Sequence, residues 1–170
     1  MKTVIIVPTY NEAGNILSLI KALREQALSI PQEIHVLVVE DNSPDGTGQL
    51  VHEAMQQDKH LHLLTGETEG LGAAYVRGMR HAMVVLDAEV VFEMDADLSH
   101  KPSDVPRLLA EIEAGADFVI GSRYVPGGTI PQNWGWHRRL NSRLGNIVTR
   151  YLVGLRAVHD CTAGFRAIRT

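Results

Sequence analysis

Short β-branched apolar runs alternate along this chain with segments whose apolar residues recur every three to four positions, and that alternation admits few folds. Thr3 to Val7, ended by Pro8, reads as a buried strand. Ala13, Ile16, Leu17, Ile20, Leu23 and Ala27 keep a helical period, with Thr9 or Asn11 available as the N-cap. Ile34 to Val39 predicts a second strand that runs into the turn cluster Glu40 to Thr47. A helix carrying Leu50, Val51, Ala54 and Met55 leads to a third strand over His60 to Thr65, placed near an edge because His60 and His62 alternate with leucines. Helix is expected again from Leu71 to about Leu86, strand over Val90 to Phe92, helix after Pro102 and strand over Phe118 to Gly121.

Strand and helix alternating this regularly predict an α/β fold, Rossmann-like, with a mostly parallel central sheet and helices on both faces. Ligands of such sheets bind beyond the carboxyl ends of the strands. Pro8 to Glu12, Asp41 to Asp45, Asp95 to Ser99 and Ser122 to Tyr124 each follow such an end, so four polar clusters are expected on one rim. The Gly70-x-Gly72 pair lacks the third glycine of a phosphate cradle, and a tight turn with close helix packing is the expectation.

With 170 residues, 45% hydrophobic and 21% charged, one ordinary globular domain is expected. The single Cys161 cannot form an internal disulfide, and because Met1-Lys2-Thr3 runs directly into an apolar strand, no leader is expected. The apolar runs are far too short to span a bilayer, and a cytoplasmic protein is the expectation. Charge is segregated: residues 1 to 100 hold 6 Lys and Arg against 15 Asp and Glu, whereas 101 to 170 hold 10 against 5. An acidic half beside a basic half suits a cation and an anion handled together.

The acidic half centres on VVFEMDADLSH, residues 90 to 100. Asp95 and Asp97 stand two apart in the turn after a strand, where their carboxylates can converge. Converging carboxylates repel unless a cation lies between them, and hard oxygen donors suit Mg2+ or Mn2+ better than Zn2+. The plainer alternative is that they solubilise the loop and cap the next helix. From Phe118 through His159 there is no Asp or Glu, while Arg123, Arg138, Arg139, Arg143, Arg150 and Arg156 all fall within it. Arginines in that number suit a phosphate-bearing acceptor, which is already ionised at neutral pH and needs no carboxylate base. Trp134 and Trp136 beside them suit either ordinary core or contact with anionic lipid headgroups. The acidic first half and the lack of a binding motif argue against nucleic acid.

PTYNEAGNI (8–16), VVEDNSPDGT (38–47), EGLGAAYVRGM (69–79), EMDADLSH (93–100), GSRYVPGG (121–128) and DCTAGFRAI (160–168) resemble, in order, the inverting family 2 glycosyltransferases of GT-A fold. Within that family the similarity is greatest to polyprenol-phosphate (dolichol-phosphate) mannose synthases. The resemblance implies a hexose, as in GDP-mannose, passed to a polyprenyl monophosphate at the cytosolic face of a membrane that the enzyme touches peripherally. It places Pro8, Tyr10 and Glu12 around the base and ribose, Asp41 on the base, and Asp95 and Asp97 as ribose and metal carboxylates. Arg123, Arg138 and Ser142 fall around the transferring phosphates, with Asp97 the fourth residue of the catalytic set. Ser99 stands where mannose synthases often carry Gln as a third metal ligand, which leaves that ligand open. The family domain continues past the GFR strand with a helix and a basic loop, so residues 1–170 are expected to be one GT-A domain without its C-terminal part. Alternatives are a relative using UDP-glucose or another donor or a saccharide acceptor, a silent nucleotide-sugar-binding module, and a nucleotidyltransferase.

Overall fold

The computed structural model describes residues 1–130, 135–156 and 158–170, with Arg138 described by its backbone alone. Trp134 and the side chain of Arg138, both singled out above, lie outside the described residues. Among the described residues six strands form one sheet: β1 (Lys2–Thr9), β2 (Glu33–Glu40), β3 (Leu61–Thr65), β4 (Val90–Glu93), β5 (Phe118–Ile120) and β6 (Arg166–Arg169). Their order is β3-β2-β1-β4-β6-β5, with β3, β2, β1 and β4 parallel and β6 antiparallel to both its neighbours. The expected mostly parallel sheet is therefore present, and β3 is an edge strand as its histidines suggested.

Two apolar layers cover the sheet. Ile5, Val7, Val36, Val38 and Phe92 face α1 (Ile16–Ala27), α2 (Thr47–Met55) and α4 (Val105–Glu113). On the other face Val4, Ile6, Leu37, Val39 and Val91 pack with Ala74 and Ala82 of α3 (Leu71–Val84). Successive side chains of a strand point to opposite faces, so strands buried on both sides must be apolar at every position, and Val4 to Val7 are all fully buried. The close approach of α3 occurs at Gly78 rather than at Gly72. A Cβ on Gly78 would lie 2.6 Å from Ile6 and 2.9 Å from Val39, whereas one on Gly72 would meet nothing. Gly70 does serve the turn into α3, with φ of +93°.

The start of α1 differs from the sequence expectation. Thr9 ends β1, Asn11 sits at φ +60°, and the helix begins at Ile16 without a side-chain cap of its own. The preceding turn is instead held from the β2–α2 loop: Asp45 accepts from the Ala13 amide at 2.9 Å, and Thr47 Oγ1 from the Glu12 amide at 3.0 Å. Long-range partners thus replace the local cap, which no reading of local sequence could supply.

Candidate active site

Because β1, β2 and β4 are parallel and adjacent, the turns that leave them open on one rim. Three non-glycine residues there hold left-handed backbone: Asn11 after β1, Asn42 after β2 and Leu98 after β4, at φ of 60°, 57° and 59°. Such conformations are disfavoured for residues with a side chain and persist where the surrounding structure dictates them. The β2 turn is also pinned by Glu40, whose carboxylate accepts from the amides of Asn42 at 2.9 Å and Ser43 at 2.6 Å.

These turns enclose a cavity of about 360 Å³ lined by Pro8, Tyr10, Glu12, Asp41, Asp95 and Asp97. Six of the seven residues expected to meet the nucleotide or its ion therefore share one hollow, and Ser99 is not among those that line it. Thr68, Gly70 and Leu71 from the β3–α3 connection complete the wall, a contribution sequence reading missed. α2 starts after Gly46 without a side-chain cap, and Asp45 holds the turn before it by accepting from the Thr47 amide at 3.0 Å and its hydroxyl at 2.6 Å. Asp41 forms an ion pair with Arg77 of α3, which leaves its second oxygen for a ligand. Arg77 was also missed, because 36 positions of sequence separate the partners.

Asp95 is fixed from two sides. Its Oδ1 accepts from the Tyr75 hydroxyl at 3.1 Å, and its amide donates to His100 Nδ1 at 3.1 Å. That second bond assigns the His100 proton to Nε2, which lies 3.6 Å from Asp95 Oδ2. The imidazole stacks on Phe165 at 5.2 Å and 14°. Burial lowers the His100 pKa against the pull of Asp95 and Asp97, keeping the ring neutral at pH 7. Burial and then Asp95 push the Tyr75 phenol upward, so it remains a donor. For Asp97, burial works to raise the pKa, but hydrogen bonds from the Ser99 side chain and amide hold it below the ordinary carboxylate value. Ser99 is exposed and its amide donates to Asp97 Oδ1 at 2.9 Å. The Ser99 hydroxyl and amide thus both bear on the Asp97 carboxylate. Two ionisable carboxylates on one cavity, one of them held toward ionisation, suit a hard divalent cation.

A second hollow of about 570 Å³ lies across Asp95, lined also by Tyr75, Glu93, Thr162, Gly164 and Arg166. Burial raises the Glu93 pKa, opposed by Arg166 at 3.0 Å. Behind this hollow, Asp160 is fully buried and accepts from Arg123 Nε and Nη2, both at 2.7 Å, and from the Arg123 amide at 3.1 Å. Arg123 Nη2 also donates to Thr162 Oγ1 at 2.8 Å. Ser142 accepts from the Tyr124 hydroxyl at 2.8 Å, and its Oγ is 3.4 Å from Thr162 Oγ1. Arg123 and Ser142 thus meet around Thr162 at the second hollow, away from the first. Asp160, the hub of this group, carried no signal in sequence beyond membership of the DCTAGF motif.

The family model for Glycosyl transferase family 2 matches residues 4–170. The chain is 44% identical to the polyprenol monophosphomannose synthase of Mycolicibacterium smegmatis over 99% of this chain and 62% of that protein. It is 36% identical to the dolichol-phosphate mannosyltransferase of Pyrococcus furiosus, again over 99% of this chain but 46% of the relative. The chain therefore spans about half to two thirds of the length of these relatives. In fold it resembles mannosyl-3-phosphoglycerate synthase from Rubrobacter xylanophilus, with a TM-score of 0.72 at 19% identity, covering 99% of this chain and 54% of that one. A sheet of this order, a rim that gathers the PTYNE, EDN and DAD turns, and a family match over nearly every residue have one reading: the chain belongs to glycosyl transferase family 2.

Proposed function

We propose that this chain carries the donor-binding and transfer centre of a mannosyltransferase that moves mannose from GDP-mannose to a polyprenyl monophosphate with inversion. The observation that carries the reading is the position of Asp95, which lines both hollows and so stands between a nucleotide side and an acceptor side. The names of relatives at 36–44% identity supply the sugar and the lipid class.

In this reading Pro8, Tyr10 and Glu12 receive base and ribose, and the free oxygen of Asp41 accepts from the base while Arg77 holds its partner oxygen. Asp95 and Asp97, with Ser99 orienting the latter, hold Mg2+ or Mn2+; the ion supplies Lewis-acid stabilisation of the departing diphosphate. Arg123 and Ser142, with Arg138, position the acceptor phosphate. That phosphate attacks the anomeric carbon in line as the bond to the nucleoside diphosphate breaks. With a second pKa of about 6 the acceptor is already an anion at neutral pH, so no protein base is required. The one-sided apolar series Trp136, Leu140, Leu144, Ile147 and Tyr151 on α5 (Trp136–Leu152), all exposed and flanked by arginines, suits peripheral contact with the membrane that holds the lipid. Among the described residues no helix is long and apolar enough to cross a membrane.

The test is nucleoside diphosphate release from GDP-mannose with a polyprenyl phosphate, with and without Mg2+ or Mn2+, on the full-length protein. Metal-dependent turnover with GDP-mannose is expected. Turnover without metal would remove the ion from the reading, and preference for UDP-glucose in a donor panel would reassign the sugar. Donor binding without turnover would make the chain a silent binding module.

A further inference from the structure

At the opposite end of the strands from the rim, β2 and β3 bring four titratable side chains together. Glu33 and His35 share a face of β2, as do Leu37 and, on β3, the residue paired with it, His62. His60, two positions before His62, joins them on the α3 side of the sheet. His35 Nδ1 lies 2.8 Å from His62 Nε2, and His35 Nε2 lies 2.9 Å from Glu33 Oε1. The His35 ring is 5.0 Å from that of His60 and 5.1 Å from that of His62. Among the described residues, Glu33, His35 and His60 are the cluster whose ligand atoms all fall within 4.8 Å of one another. From His35 to the acidic rim at Glu40 is about 17 Å at ~3.3 Å per strand residue, so this cluster is separate from the Asp95–Asp97 turn.

We propose that Glu33, His35 and His60 form a binding site for a first-row transition cation of the Zn2+ type, with His62 orienting His35. Two imidazoles and a carboxylate are a donor set that Zn2+ takes readily and Mg2+ does not. In the metal-free state His35 Nε2–H donates to Glu33, and Nδ1 accepts from His62. Binding requires the Nε2 lone pair, so the remaining His35 proton moves to Nδ1 and is donated to His62 Nε2. The His62 proton correspondingly shifts from Nε2 to Nδ1, and the His35–His62 pair releases no net proton if both rings are neutral.

The surrounding charges bear on which ion binds. Arg24 Nη2 is 3.1 Å from His60 Nδ1, but its Nε is held by Asp58 at 2.8 Å and its Nη1 donates to the Ile34 carbonyl at 2.8 Å. Asp58 accepts from the His60 amide at 2.9 Å; Arg24 can only donate, so His60 Nδ1 is the nitrogen with the lone pair and the one an ion would take in place of Nη2. Lys2, Lys59 and, from α3, His81 add positive field at Glu33, His60 and His62. An ion must therefore gain from its bonds to nitrogen and not from charge alone, which selects Zn2+ over Mg2+ or Ca2+. Bound there, it would tie the edge strand β3 to β2.

Isothermal titration with Zn2+, paired with the visible absorption of Co2+ as a report of tetrahedral nitrogen and oxygen ligation, tests this on the intact protein. One Zn2+ per chain is expected, unaffected by Asp97→Ala and not displaced by Mg2+. Glu33→Gln and His60→Ala should each weaken it by about tenfold or more. Glu33 is exposed, so its variant keeps the fold, and circular dichroism checks the other. Unchanged affinity in both variants, no saturable binding, or loss of the ion in Asp97→Ala alone would each overturn the proposal.

Discussion

Asp160→Asn is the most severe conservative change the structure points to. The Asp160 side chain is fully buried and accepts from Arg123 through Nε and Nη2 at 2.7 Å, from the Arg123 amide at 3.1 Å, and from Thr162 Oγ1 at 3.1 Å. Asn146 joins it to α5 through Nδ2 at 3.3 Å. Asparagine has nearly the same shape but replaces one acceptor oxygen with a donor, which must face a guanidinium or amide N–H. Removing one partner of a buried pair costs about 3–5 kcal/mol. The Arg123 side chain retains 18% exposure and can recover some hydration, which places the expected loss near the lower end, about 3 kcal/mol. Against a typical total of about 5–15 kcal/mol, that is a large shift in the urea midpoint. Far-UV circular dichroism across a urea series reads it directly. The acid limb gives a second reading. Arg123 hydrogen bonds outweigh burial and lower the Asp160 pKa, so its contribution is full above the unfolded value of about 3.9 and is lost as pH falls through the folded value. The variant should therefore lose less further stability below about pH 4 than the parent. Stability within about 0.5 kcal/mol of the parent, with an unchanged acid limb, would refute the reasoning.

Further changes separate binding from folding. Asp97→Ala should abolish metal-dependent donor binding by titration while the thermal midpoint stays near that of the parent; unchanged affinity would remove Asp97 from its role. Tyr75→Phe deletes the hydroxyl donated to Asp95 at 3.1 Å, and a loss of about 1 kcal/mol, roughly fivefold in donor affinity, is expected by the same titration. Gly78→Ala forces a methyl to within 2.6 Å of Ile6 and 2.9 Å of Val39, and should cost about 1–3 kcal/mol in urea unfolding. Leu144→Asp on the exposed face of α5 should reduce co-sedimentation with anionic liposomes without changing soluble donor binding; undiminished sedimentation would argue against contact through that face.

How far sequence reading reached can be judged at particular residues. The strands of the parallel core were legible because burial on both faces demands apolar residues throughout, as in Val4 to Val7 and Val36 to Val39. β6 was recognised only as a motif-bearing strand. Its antiparallel insertion between β4 and β5 is a matter of pairing, on which RAIR carries no local information. The rim residues Tyr10, Asp41, Asp95 and Asp97 were legible because each follows a strand whose direction the alternation had already implied. Arg77, His100 and Asp160 were not singled out, since each acts through a partner that only the folded chain brings near.

What this sequence determined by itself was periodicity and turn chemistry, and through them a doubly covered sheet with acidic turns along one rim. Those are local properties, set by side-chain size, branching and backbone preference within a few residues. The tertiary structure decided which charges meet: Asp41 with Arg77, Asp160 with Arg123, His35 with His62. Pairing across tens of positions depends on strand order and register, which emerge only when separate apolar faces bury against one another, and this is why the partners of the site's charged groups had to await the fold.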